Sequence, residues 1–125
     1  MPPVSVPSPR EVIHRWVEAF NRQDIETLLS LYHPDAVNHQ VAEDLVQGAD
    51  NLRRRFEQIF ALAPMTCLVE NIFQDEEWAM LEWRDPLGLR GCGFFHITAG
   101  RIRCQRGYWD KLTFLRQHHL PLPKE

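Results

Sequence analysis

The chain lacks any apolar run near the roughly 18 residues needed to cross a bilayer, and no stretch reads as a leader peptide. No membrane partner is therefore expected. It also lacks basic excess: Lys and Arg number 14 against 17 Asp and Glu, a formal net charge of −3. That balance argues against nucleic acid as the main partner, because no surplus cation is left to neutralise phosphates. The one basic run, Arg53-Arg54-Arg55, reads as a solvated helix face. Cysteine is scarce: Cys67, Cys92 and Cys104 are odd in number and lack metal-type spacing. They read as reduced thiols, which implies a cytoplasmic location. The six glycines make no phosphate loop and no nucleotide fingerprint. His118-His119 is too isolated for a metal site. Neither metal nor cofactor is expected.

What is present suits one domain. At 125 residues, 44% hydrophobic and 25% charged, the chain can build a single core. Residues 1–8, rich in proline and serine, read as a loose arm; residues 9–117 form the domain, and 118–125 a tail.

Helical signals fill the first half. Ser8-Pro9-Arg10-Glu11 starts a helix with a serine cap, an early proline and a glutamate at the third position. Val12, Ile13, Trp16, Val17 and Phe20 then share a face. Asp24 caps a second helix holding Ile25, Leu28, Leu29, Leu31 and Tyr32, which His33-Pro34-Asp35 stops. An extended piece, Ala36 to Val41, and a loop, Glu43 to Gly48, follow. A third helix then carries Leu52, Phe56, Ile59 and Phe60 and closes at Pro64.

The second half changes period. Thr66 to Gln74, Trp78 to Arg84, Leu89 to Thr98 and a final run from Gly100 read as strands joined by short turns. Large apolar groups on both sides of Trp78 to Arg84 suggest a strand covered on both faces. The fold class is α+β, one curved antiparallel sheet wrapped around three N-terminal helices.

In the final run Ile102 and Cys104 point one way, and Arg103, Gln105 and Gly107 the other. If the apolar pair marks the inner face, Arg106, Tyr108 and Asp110 are inward too. A charged pair there either neutralises itself or lines a pocket.

Several motifs in this order resemble the SnoaL-like, nuclear transport factor 2-like superfamily. They are Arg15-Trp16-Val17-Glu18-Ala19-Phe20-Asn21 followed by Asp24, Leu31-Tyr32-His33-Pro34-Asp35-Ala36-Val37, Gly48 opening a helix, and the glycine-led last strand. The resemblance covers nearly everything from Arg10 to Leu115. It implies a cone-shaped α+β (cystatin-like) fold with a conical pocket and, commonly, a homodimer. The fold hosts isomerases, cyclases, epoxide hydrolases, dehydratases and binders, so it does not settle activity.

Residue by residue, the resemblance gives a mixed result. Matching Gly100 and Ile102 to the SnoaL-type polyketide cyclases puts Asp110 at their acid/base aspartate, with Arg106 replacing an inward tryptophan. Against ketosteroid isomerases, His39 falls at the carboxylate base and Trp16 at the oxyanion-binding tyrosine. Their protonated aspartate has no counterpart near Gly93, which argues against ketosteroid isomerisation. The aspartate–arginine–aspartate set of epoxide hydrolases is discounted, because Arg84 and Asp85 are adjacent and would point to opposite faces.

The resulting expectation is a cofactor-independent isomerase, cyclase or dehydratase acting on a hydrophobic carbonyl compound. Asp110 and His39 are its acid/base candidates, and Arg106 would stabilise developing charge. Trp16, Phe20, Tyr32, Phe56, Phe60, Tyr108 and His96 would line the pocket, although the face used by His96 is open. Convergence of Asp110 and His39 on one cavity would mark an enzyme, and divergence a non-catalytic small-molecule binder. A cavity filled by side chains would mark a structural dimer module. The outer sheet face, with Trp83 and Trp109 as candidates, would pair two copies.

Overall fold

The computed structural model describes residues 5–63 and 65–124. The expected helix stop at Pro64 and part of the N-terminal arm lie outside the described residues.

Helix α1, Pro9–Asn21, begins where the Ser8 hydroxyl accepts a hydrogen bond from the Glu11 N–H. That contact satisfies a donor the first turn would otherwise leave unpaired. Its apolar stripe of Val12, Ile13, Trp16, Val17 and Phe20 is buried. Helix α2, Ile25–Ser30, is capped by Asp24, whose carboxylate accepts from the Thr27 N–H. Helix α3, Ala49–Leu62, starts at Gly48, whose φ of 88° favours glycine.

Six strands form one curved, unclosed sheet. They are β1 (Tyr32–Gln40), β2 (Val46–Gln47), β3 (Leu68–Asp75), β4 (Trp78–Arg84), β5 (Arg90–Thr98) and β6 (Arg101–Trp109). Their spatial order is β2-β1-β6-β5-β4-β3. All neighbours are antiparallel except β1 and β6, which run parallel. Consecutive hairpins link β3 to β6, as their short turns require. The parallel pair arises because β6 returns beside a strand formed much earlier in the chain.

The core lies between α1, α3 and the inner sheet face, with Ile13, Leu28, Leu52, Phe56, Leu81, Phe95 and Ile102 almost wholly buried. On β4, Ala79 and Leu81 face this core. Met80 is 36% exposed, so β4 is covered on one face rather than both.

One boundary and two further elements depart most from the sequence expectation. Tyr32 belongs to β1 and not to α2, because Pro34 falls where the pairing register breaks between Tyr32 and Val37 and no ladder N–H is needed. The loop before Gly48 contains β2. A fourth helix, α4 (Lys111–Gln117), follows β6 directly.

Candidate functional site

A cavity of about 300 Å³ opens between the helices and the inner face of the sheet. Trp16 and Phe20 of α1, and Phe56 and Ile59 of α3, form part of its apolar wall. Leu81, Phe95 and Leu89 face them from the sheet side, and Phe114 of α4 joins the lining. Trp16 and Phe20 stack with ring centroids 4.9 Å apart, and Trp16 meets Phe95 edge-on at 5.7 Å. These pairs hold the rings in defined orientations.

Polar groups reach the cavity from the parallel β1–β6 pair. Asn38 and Gln40 come from β1, and Gln105, Gly107 and Trp109 from β6. Trp109 Nε1 donates to Gln40 Oε1 at 2.9 Å, and Gln40 Nε2 donates to Asn38 Oδ1 at 2.8 Å. A second chain runs from Trp16 Nε1 to the Tyr32 hydroxyl at 2.9 Å, and from that hydroxyl to Gln105 Oε1. Gly107 has no side chain for a reason: a Cβ there would lie 1.9 Å from Gln40 Oε1. Glu43, Thr66 and Asp85 also line the cavity, as do Arg55 and Gln58 of α3, so Arg55 departs from the solvated face expected for the basic run. Glu43 is held by Lys111 at 3.0 Å, and Asp85 by the N–H groups of Leu87 and Leu89 at 2.9 Å each.

Burial pushes the Tyr32 phenol well above its ordinary range, and the Trp16 N–H draws it back only slightly. Tyr32 is therefore a neutral hydrogen-bonding link at any physiological pH. Burial likewise pushes the Cys67 thiol up to about 12, which leaves it an inert wall group. Among the described residues no cluster of His, Cys, Asp and Glu could hold a metal ion.

Of the expected site residues, Trp16, Phe20 and Phe56 line the cavity. Tyr32 lies behind it, joined to the wall through Trp16 and Gln105. Phe60 packs behind as well, 5.2 Å from Phe20 and 6.2 Å from Phe56.

The charged residues of β6 do not face the cavity. Opposite β5, His96 pairs with Cys104 but Ile97 with Ile102, so Arg103 is an extra residue in β6. Such a bulge reverses the inward–outward alternation downstream of it. Ile102 is inward before the bulge, and Gln105, Gly107 and Trp109 are inward after it. The inward placement expected for Arg106, Tyr108 and Asp110 is thereby corrected. The Arg106 guanidinium lies 5.4 Å from the centre of the Trp78 ring. Tyr108 is 43% exposed, edge-on to Phe94 at 5.9 Å. Asp110 caps α4, accepting from the Leu112 N–H at 3.1 Å and the Thr113 hydroxyl at 2.5 Å. The Thr113 hydroxyl above all holds its carboxyl below the usual range.

His39 is the register partner of Arg106 and shares its outward rank. His96 also lies on the outer face, stacked on Trp78 at 4.8 Å with Nε2 3.3 Å from Glu77. Cys104 pairs with His96 on that outer side of the bulge rather than on the inner face. Trp83 and Trp109, expected outside, line the cavity instead.

The carboxamides Asn38, Gln40 and Gln105 were absent from the sequence expectation. For the first two a signal existed, because Asn38 and Gln40 follow the apolar Ala36 at steps of two in an extended piece. For Gln105 there was none without the bulge.

The SnoaL-like domain model matches residues 13–105. No curated protein matches the sequence. Solved structures do. A protein with a ketosteroid isomerase-like fold from Catenulispora acidiphila, in complex with trimethylamine, superposes with a TM-score of 0.79 at 13% identity, covering 92% of this chain and 96% of that one. An NTF2-like protein from Cytophaga hutchinsonii superposes at 0.77 and 12%, covering 90% and 99%. The epoxide hydrolase/cyclase-like enzyme SalBIII of pyran ring formation in salinomycin superposes at 0.74 and 15%, covering 82% and 91%. At such identities the likeness shows the fold.

Proposed function

The chain belongs to the SnoaL-like domain family, and from that premise we propose that it binds a small, mostly apolar molecule in the cavity between helices and sheet. The reading is carried by one observation: an apolar cavity of about 300 Å³ toward which neither Asp110 nor His39 turns. That volume is at the lower end of the range for small-molecule sites, about 300–1,000 Å³. Divergence of the two expected proton carriers favours a binding role over the isomerase, cyclase or dehydratase alternative. The wall carboxylates Glu43 and Asp85 are already tied to structural partners, Lys111 and the N–H groups of Leu87 and Leu89. Relatives named for cyclase chemistry or holding a small amine support a small-molecule occupant and no particular reaction.

The test is a thermal-shift titration with small cyclic hydrocarbons and ketones. Binding should raise the melting temperature of the natural chain. Leu81→Trp, which fills the cavity from its wall, should abolish that rise. An equal rise in the filled variant would place binding elsewhere and reject the reading.

We further propose that the outer sheet face pairs two copies. Phe73 is 49% exposed there, and Met80, Phe94 and Arg106 complete its rank across β3 to β6. Three apolar groups in a row on one face, Phe73 and Met80 exposed and Phe94 half-buried, support this reading.

A further inference from the structure

We propose that Asn38 and Gln105 together form a seat for one uncharged carbonyl oxygen of the cavity's ligand. The inference rests on the cavity reading above and adds which ligand atom is recognised.

Its basis is the direction of the two hydrogen-bond chains. An indole N–H only donates. Trp109 therefore obliges the Gln40 oxygen to accept, and the Gln40 nitrogen is left to donate to Asn38 Oδ1. Trp16 likewise obliges the Tyr32 oxygen to accept, so the Tyr32 proton goes to Gln105 Oε1. The amide orientations of Asn38 and Gln105 follow from this logic. Each chain ends in an NH₂ group. Among the described residues neither Asn38 Nδ2 nor Gln105 Nε2 has a hydrogen-bond partner.

The two residues are direct partners across the parallel β1–β6 pair, only 6% and 4% exposed, and both line the cavity. Neither nitrogen is fully enclosed by protein: each opens on the cavity without a protein acceptor, and two such donors at register partners mark a place suited to lone pairs. A carbonyl oxygen has two and accepts one N–H from each amide. A carboxylate fits less well. Both donors are neutral, and stripping water from an anion costs more than two neutral hydrogen bonds return; the cation in the lining, Arg55, comes from α3 and not from the β1–β6 pair that carries the two amides.

The experiment follows the side-chain amide resonances of Asn38 and Gln105 in the isotope-labelled full chain. Tetralone is titrated against tetralin, the same bicycle without oxygen, and against tetralin carboxylate. Tetralone should move both resonances and bind roughly tenfold more tightly than tetralin. Asn38→Asp and Gln105→Glu keep the accepting oxygens but remove the donors. They should lose that preference while still taking up tetralin. Should either variant not fold, the comparison in the natural chain decides alone. Equal binding of tetralone and tetralin, unmoved amide resonances, or tighter binding of the carboxylate would overturn the seat and leave the cavity reading standing. Failure of both tetralone and tetralin to bind would overturn the two together.

Discussion

At the residue scale, the decisive feature is that the polar groups β1 and β6 bring to the cavity wall are joined into two hydrogen-bond chains. Tyr32 shows the energetics. Its ring is core, 6.1 Å from Phe56, while its hydroxyl links Trp16 to Gln105. Tyr32→Phe would keep the packing and strand a buried indole N–H and a buried amide oxygen. We expect a loss of about 1–3 kcal/mol, read as a lower urea midpoint with an unchanged slope. An unchanged midpoint would show that the chain of hydrogen bonds holds nothing in place. The same substitution frees Gln105 to turn its amide, so any carbonyl preference of the cavity should weaken with it.

At the element scale, one extra residue in β6 decides which side chains meet the ligand. Without the bulge at Arg103, a cation, a phenol and a carboxylate would face the apolar wall. With it, that wall receives a carboxamide, a glycine and an indole. The charged set is instead outside, where Arg106 lies against Trp78 and Asp110 starts α4. Asp110→Ala should therefore fray α4, raising amide exchange over Lys111–Gln117. The pH dependence follows from the lowered carboxyl pKa. A carboxylate whose folded pKa lies below its unfolded value stabilises the fold above that unfolded value. The contribution is lost as pH falls through the folded pKa. The melting temperatures of Asp110→Ala and the natural chain should thus differ at neutral pH and converge in acid below the ordinary value of 3.8. A gap that persists there would mean the carboxylate's charge is irrelevant to the cap.

At the scale of the whole molecule, the sheet has two unlike faces. The inner one meets α1 and α3 and leaves the cavity. The outer one is bare in a single chain, with Phe73, Met80 and Tyr108 exposed. A stable pair would need about 800 Å² from each copy, which a face of four strands can supply. Light scattering should return twice the chain mass. Met80→Glu, placing a charge at the centre of the rank, should weaken association roughly thirtyfold or more. A single-chain mass at all concentrations would end the proposal. No helix among the described residues is long and apolar enough to cross a membrane.

Much of this was legible in local sequence. The Ser8 and Asp24 caps, the helical stripe from Val12 to Phe20 and the strand Trp78–Arg84 are short-range patterns. Neighbours in the chain settle such patterns whatever the rest does. The family motifs added the order of the layers, and Trp16, Phe20 and Phe56 were readable as wall residues from their helical face. The fate of Asp110, Arg106 and His39 was a different kind of question. Which way they point depends on the register of β6 against β1 and β5, strands brought together only by the closed sheet. A single inserted residue inverts that register's consequences without leaving a mark in composition or period. The chain alone thus determined the long elements, their order and the helical part of the greasy lining, though not β2, α4 or the inward turn of Trp83 and Trp109. Tertiary pairing alone decided that carboxamides, and not the ionisable trio, look into the hollow.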